Sequence, residues 1–166
     1  MALKTPATPD DLFARLVELN IETVTHHHAP LHSVAESQEL RGELPGGHCK
    51  NLFLKDKKGV LWLVVTLEDR QVDMKTLSGT IASARLSFGK PELMIEVLGI
   101  EPGSVTPFAL INDPDHQVRV VLDAEMMDME LLNYHPLSNR MTTRISASDL
   151  LIFIAACGHT PVTVKL

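Results

Sequence analysis

The sequence predicts an α+β fold: one curled, mixed, mostly antiparallel sheet flanked by helices, in a single domain spanning residues 1–166. Three observations predict it. A chain of 166 residues is long enough to bury one substantial core. An apolar fraction of 45% beside a charged fraction of 22% is globular composition. Strand-like and helix-like segments also succeed one another without the regular alternation that builds a parallel sheet. No repeat, low-complexity tract or linker divides the chain.

The elements follow in order. Thr8, Pro9, Asp10 and Asp11 open a helix: a hydroxyl cap, a proline in the first turn, then acids at the positive end of the dipole. Leu12, Phe13, Leu16, Val17 and Leu19 supply its apolar face. Residues 21–27 alternate as a strand. Residues 33–40 read as a helix capped by Ser33, with Glu36 at the capping-box position and Gly42 as its stop. Two strands, 48–55 and 60–67, flank the charged turn Asp56, Lys57, Lys58, Gly59. Leu61, Leu63 and Val65 share one face of the second strand, and Trp62, Val64 and Thr66 the other, so it reads as a strand buried on both sides. Residues 74–86 have helical spacing, and 90–98 form a short helix with Pro91 in its first turn and Gly99 after it. Residues 102–106 are a loop. Residues 107–111 and 117–122 read as a hairpin about the turn at Asn112 to Asp115. Strands at 130–134 and 141–145 enclose a loop at His135 and Pro136. Ser146 caps the last helix, Asp149 is its third residue, Gly158 stops it, and 160–165 returns as a strand.

Charge and motifs exclude several functions. Fifteen basic residues against 21 acidic ones give a net charge of −6, which disfavours duplex DNA binding through bulk electrostatics. A small basic pocket on an acidic body is compatible with it. Nothing at the N-terminus resembles a signal peptide, no apolar run reaches membrane-spanning length, and Cys49 and Cys157 have no metal or disulfide pattern. The expectation is a cytoplasmic protein with reduced thiols, away from membranes. The serine elbow, His-Glu-x-x-His, Walker and Gly-x-Gly-x-x-Gly signatures are absent.

Chemistry concentrates at four places. The string Gly46-Gly47-His48-Cys49-Lys50-Asn51 delivers a lysine into the start of an apolar strand. Lys50 either snorkels to water or meets a phosphate or carboxylate. Cys49 beside it is read as a small core residue, because strand alternation sends the two neighbours to opposite faces. His26, His27, His28 and His32 raise a metal question, but no acidic or cysteine ligand lies near them in sequence, so surface or pocket-edge imidazoles are expected. The loop Gly103, Ser104, Val105, Thr106, Pro107 combines close backbone approach with small hydroxyls. His135, held extended by Pro136, is placed to present an imidazole at a strand end.

Together, Lys50-Asn51, the string Pro-Gly-Ser-Val-Thr-Pro-Phe-Ala-Leu around Gly103 to Pro107, and Tyr134-His135-Pro136 resemble the prolyl-tRNA editing-domain family (YbaK/ProX-like), over nearly the whole chain. The resemblance implies a sheet curled toward a barrel with helices outside. It implies hydrolysis of the ester joining a wrong amino acid to tRNA for proline, most like the branch that removes alanine. Lys50 matches the lysine that contacts the terminal nucleotide or its phosphate. Asn51 matches the adjacent polar position, Gly103 the glycine of the loop lining the substrate pocket, and His135 a late histidine of the same pocket. Ser104, Val105, Thr106 and Pro107 complete that loop as substrate-binding residues. No cofactor or metal is implied. The implied partners are the acceptor end of mischarged tRNA and, for delivery, prolyl-tRNA synthetase or an elongation factor; DNA and membranes are not.

Physical chemistry points the same way. A synthetase pocket built for proline cannot strongly reject a smaller apolar amino acid, since one methylene is worth only about 1–3 kcal/mol. An aminoacyl ester is activated, so placing a water and stabilising an oxyanion suffices. The alternatives are a deacylase for cysteine, serine or another small residue, a tRNA- or synthetase-binding module without catalysis, and a metal-binding protein. No basic cluster is legible that would mark where the tRNA is chosen.

Overall fold

The computed structural model describes residues 5–29 and 44–166. Helix α1 (Pro9–Glu18) is capped as the sequence predicts: Thr8 Oγ1 accepts from Asp11 N–H, and the Asp11 carboxylate accepts from Thr8 N–H. Leu12 and Leu16 are its buried residues, whereas Val17 faces solvent. Strand β1 (Val24–His27) begins three residues later than expected, because the chain turns back under α1 first, with Ile21 N–H on the Leu16 carbonyl. The helix expected at 33–40 lies outside the described residues.

Strands β2 (Gly47–Asp56) and β3 (Leu61–Leu67) form the antiparallel hairpin read from sequence. Asp56 makes its turn: one carboxylate oxygen accepts from Lys58 and Val60 N–H, the other lies 3.4 Å from Trp62 Nε1. Burial alone raises the Asp56 pKa, but these donors outweigh it and hold the carboxyl below its usual range. Leu61, Leu63 and Val65 enter one core, and Trp62 and Val64 a second core on the other side of the sheet. The two-sided burial expected of β3 is therefore observed.

Two expectations are corrected. The helix placed at 74–86 is α2 (Met74–Ile81) only: Ala82 takes a left-handed φ of 55° and ends it. Leu86 instead opens strand β4 (Leu86–Phe88), which pairs with the far end of β2. Helix α3 (Pro91–Leu98) follows as predicted. The hairpin at 107–122 does not form. Pro107–Asn112 is a 3-10 helix, because Thr106 Oγ1 caps Phe108 N–H and Pro107 has no N–H to give a strand ladder. Asp113 accepts from Gln117 and Val118 N–H and leads into β5 (Val118–Asp123), which lies parallel to β3.

A single turn, α4 (Ala124–Met127), precedes β6 (Leu131–Tyr134) and β7 (Met141–Ser146), an antiparallel pair. Helix α5 (Ala147–Ala156) has Ser146 Oγ capping Asp149 N–H. Gly158, at φ 87°, turns the chain into β8 (Val162–Val164). The sheet order is β1-β7-β6-β2-β3-β5-β8, with β4 on β2. Pairings β1–β7, β6–β7, β2–β3 and β2–β4 are antiparallel, and β2–β6, β3–β5 and β5–β8 are parallel. The α+β architecture, a mixed sheet flanked by helices, is the one the sequence predicts.

A candidate active site where two parallel strands part

β2 carries a different neighbour at each end of one edge. Gly47 and His48 pair with Leu132 and Asn133 of β6. Leu54 to Asp56 pair with β4, and Gly89 N–H closes on the Phe53 carbonyl. Among the described residues no strand pairs with that edge between them. β2 and β6 run parallel and then diverge, leaving a notch bordered by Lys50, Asn51 and His135. Crevices beyond the carboxyl ends of diverging parallel strands are the usual place for ligands in open sheets. Gly46 lets β2 enter this position: its φ is 101°, and a Cβ there would sit 2.9 Å from the Leu131 carbonyl oxygen.

Asn51 turns its peptide groups to the notch and holds a buried, unpaired acceptor beside it. In an antiparallel ladder, peptide groups alternate between the two edges. Phe53 turns its carbonyl to Gly89, so Asn51, two residues earlier, turns its own N–H and C=O toward the open edge. Its side-chain Oδ1 is shut off from solvent and has no hydrogen-bond partner. A buried acceptor left unpaired costs about 1–3 kcal/mol, and such groups cluster where a ligand completes the set.

Lys50 leaves β2 from the opposite face. It is half-buried and lies across from Thr66, whose hydroxyl donates to Asp123 at 2.6 Å. Arg70 Nε donates to the same Asp123 oxygen at 2.8 Å, and its other nitrogens reach Glu125 and the Leu166 carbonyl. The structure thus separates the Lys50 and Asn51 side chains by the thickness of the sheet, and only a ligand passing over the open edge touches both.

Cys49 shares the Asn51 face and packs against the first core. Burial pushes its thiol up to about 12, with the Tyr134 hydroxyl and the Asn133 backbone pulling weakly the other way. It is a neutral core group, as the sequence suggests. Cys49→Ala is therefore expected to leave turnover within about twofold, checked with the assay described below.

His135 follows β6 directly. Its Nδ1 lies 3.0 Å from the Met141 carbonyl, which can only accept, so Nδ1 carries the proton and Nε2 presents a lone pair. Burial lowers its pKa, the Met141 carbonyl opposes this, and nearby His28 adds to it. The imidazole is neutral near pH 7. The His28 ring stands 6.4 Å away, with Nε2 2.8 Å from the Thr142 hydroxyl. Among the described residues no three His, Cys, Asp or Glu side chains gather as metal ligands; His32 lies outside them.

The 103–107 loop reaches this side of the sheet. Ser104 N–H closes on the Glu101 carbonyl, Val105 packs on the core, and Thr106 and Pro107 are buried. Phe108 meets Tyr134 edge-on at 6.0 Å, which seats the loop beside β6. Gly103 is exposed, and a Cβ there would meet only Asn139 Nδ2, at 3.6 Å. Asn139 beside Gly103 and Thr142 bonded to His28 escape a reading of the sequence because isolated polar residues in a loop and strand carry no motif.

The family model "Aminoacyl-tRNA editing domain" matches residues 28–153. The chain is 37% identical to "Prolyl-tRNA synthetase associated domain-containing protein 1" of Mus musculus over 160 residues, 93% of this chain and 94% of the relative. It is 33% identical to "Prolyl-tRNA editing protein ProX" of Acetoanaerobium sticklandii over 93% and 95% of the two chains. The fold matches the crystal structure of hypothetical protein APE2540 with a TM-score of 0.74 at 16% identity, over 93% of this chain and 97% of that one. A candidate trans-editing enzyme for prolyl tRNA synthetase superposes with a TM-score of 0.70 at 17% identity, over 98% and 99%. With the matched stretch covering both strands of the notch and the loop beside it, the chain belongs to the aminoacyl-tRNA editing domain family, of YbaK/ProX-like type.

Proposed function

We propose that this protein is a trans-acting hydrolase that removes alanine esterified in error to tRNA for proline. The observation that carries the reading is Asn51: a buried side-chain acceptor with no partner, on a strand edge whose peptide groups face an open notch. Membership of an aminoacyl-tRNA editing family and the similarity to a prolyl-tRNA editing protein support it. The partner is the acceptor end of the mischarged tRNA, delivered free or by prolyl-tRNA synthetase or an elongation factor.

In this reading Lys50 meets the phosphate of the terminal adenosine. Asn51 and His135 hold polar groups of the aminoacyl adenosine, Asn51 through its amide and His135 by accepting at Nε2. Backbone groups of Gly103 to Pro107 hold the ester carbonyl or the attacking water. Water adds to the ester carbonyl, negative charge gathers on its oxygen, and collapse expels the ribose hydroxyl. Free alanine and intact tRNA leave. The vicinal ribose hydroxyl is available to relay the proton, taking it from the water while giving its own to the departing ribose oxygen, so no protein base is assigned.

The test is release of alanine from alanyl-tRNA for proline under single-turnover conditions. Gly103→Ala sharpens it. The position is exposed and has no positive φ, so the melting temperature is expected to move by less than about 2 °C. A methyl group where the backbone approaches the ester is expected to cut the rate at least about tenfold. Unchanged rates would take the loop out of the site.

A further inference from the structure

The pairing of β4 with β2 assembles a basic surface that the linear sequence scatters. Lys57 N–H bonds to the Arg85 carbonyl at 3.1 Å, bringing the tip of the β2–β3 turn against the start of β4. Lys55 lies opposite Ser87, and Lys90 follows two residues after Phe88. Lys55, Lys57, Lys58, Arg85 and Lys90 are all exposed, and none makes an ion pair with a described residue. They are five of the chain's 15 lysines and arginines, on a body of net charge −6. The acid in their midst is spent: Asp56 is buried and takes the Lys58 and Val60 N–H groups. Glu92 is the exposed acid nearest Lys90 in sequence.

Phe88, 66% exposed, lies across from Leu54 and so projects from the opposite face of β4 to Ser87 and Lys55. It is the only exposed Phe, Trp or Tyr among the described residues. A row of exposed cations without ion-pair partners among the described residues suits a sugar–phosphate backbone. A protein partner would have to be strongly acidic to match the same charges.

We propose that this β2–β4 surface binds the RNA backbone beyond the 3′ end, a second contact apart from the notch. The inference rests on reading the substrate as an aminoacyl-tRNA. Its placement fits: β2 runs about 20 Å from Lys50 to Asp56, where these cations begin, so the surface lies a few nucleotides from an RNA end held at Lys50. The surface gathers positive charge that the whole chain lacks, and nothing in it reads sequence directly.

The experiment compares wild type with the triple variant Lys57→Gln, Lys58→Gln, Arg85→Gln, and with Phe88→Ser. Binding of uncharged tRNA for proline is followed by fluorescence anisotropy across a salt series. The triple variant is expected to bind at least about tenfold more weakly, with the log–log salt slope shallower by about three, one for each phosphate that is no longer neutralised. Phe88→Ser, on the other face of β4, is expected to leave affinity and slope unchanged, and a loss equal to that of the triple variant would overturn the surface. Deacylation of an alanyl-CCA trinucleotide, too short to reach the surface, stays at the wild-type rate in both, while kcat/KM on alanyl-tRNA falls with the binding in the triple variant. Lys55→Gln with Lys90→Gln leaves the turn untouched and is expected to show a smaller loss of the same kind, so misfolding of the turn does not account for the result.

An unchanged salt slope in the triple variant overturns the proposal, and so does an equal loss on the trinucleotide. Normal tRNA binding combined with lost capture by prolyl-tRNA synthetase also overturns it and gives the surface to an acidic protein. A wild type that hydrolyses neither ester yet binds tRNA through these residues upholds the surface and removes the deacylase reading.

Discussion

Replacing Lys50 with alanine is expected to lower kcat/KM on mischarged tRNA by about a hundredfold or more, with the fold intact. The loss of one charge-assisted bond to a substrate phosphate, in a site where that bond also positions the ester, is of this size. The fold has little reason to notice. Lys50 is half-buried, projects from β2 away from the larger core, and makes no ion pair with a described residue. The nearby Thr66–Asp123–Arg70 network is complete without it. Lys50→Arg keeps the charge but replaces a compact ammonium with a wider planar group, and only partial activity is expected. Steady-state deacylation and a thermal melt of each variant check both halves. A fully active Lys50→Ala protein removes the lysine from the mechanism.

Asp113→Ala is expected to cost about 3–5 kcal/mol of stability and to lower the melting temperature by about 10 °C. The carboxylate accepts from Gln117 N–H, Val118 N–H and His159 Nε2, at 3.0, 2.9 and 2.9 Å, and both side chains of the His159 pair are buried. It ties the start of β5 to the turn after α5, the joint where the expected hairpin does not form. Removing it strands two buried donors, Val118 N–H and His159 Nε2, and leaves Gln117 N–H to water. Burial alone raises the Asp113 pKa, but the bonds from His159, Gln117 and Val118 outweigh it, and the carboxyl sits below its ordinary 3.8. The unfolded chain therefore takes up the proton first as pH falls. The contribution is complete above about pH 4 and disappears as pH drops through the lowered folded value. Melts at pH 7 and pH 3 should therefore differ less for the variant than for the wild type. A loss below about 1 kcal/mol at pH 7 would show that the joint is held elsewhere.

What is legible in the sequence is what local chemistry decides. The caps at Thr8 and Ser146, the turn at Asp56 and the two faces of β3 depend on residues within a few positions of one another. What is not legible depends on distant partners. Leu86 continues a helical pattern in sequence, yet it forms a strand because the β2 edge opposite Asp56 is open to it. Residues 107–111 look like a strand, but Thr106 and Pro107 start a 3-10 helix, and β5 finds β3 and β8 instead. The site divides in the same way. Residue types and resemblance single out Lys50, Asn51, Gly103 and His135. The notch itself exists because β6 and β4 each cover part of one strand edge, which no linear motif encodes. The basic surface has the same origin: Arg85 and Lys90 join Lys55, Lys57 and Lys58 only through the β2–β4 pairing.

The central claim is that this notch hydrolyses an ester and sorts it by amino acid. The most direct measurement is deacylation of alanyl-, cysteinyl- and prolyl-tRNA for proline side by side at equal enzyme. Fast loss of alanine with the other two spared is the expected result. Loss of cysteine in place of alanine would keep the hydrolase and contradict the substrate; hydrolysis of none of the three would contradict the claim itself.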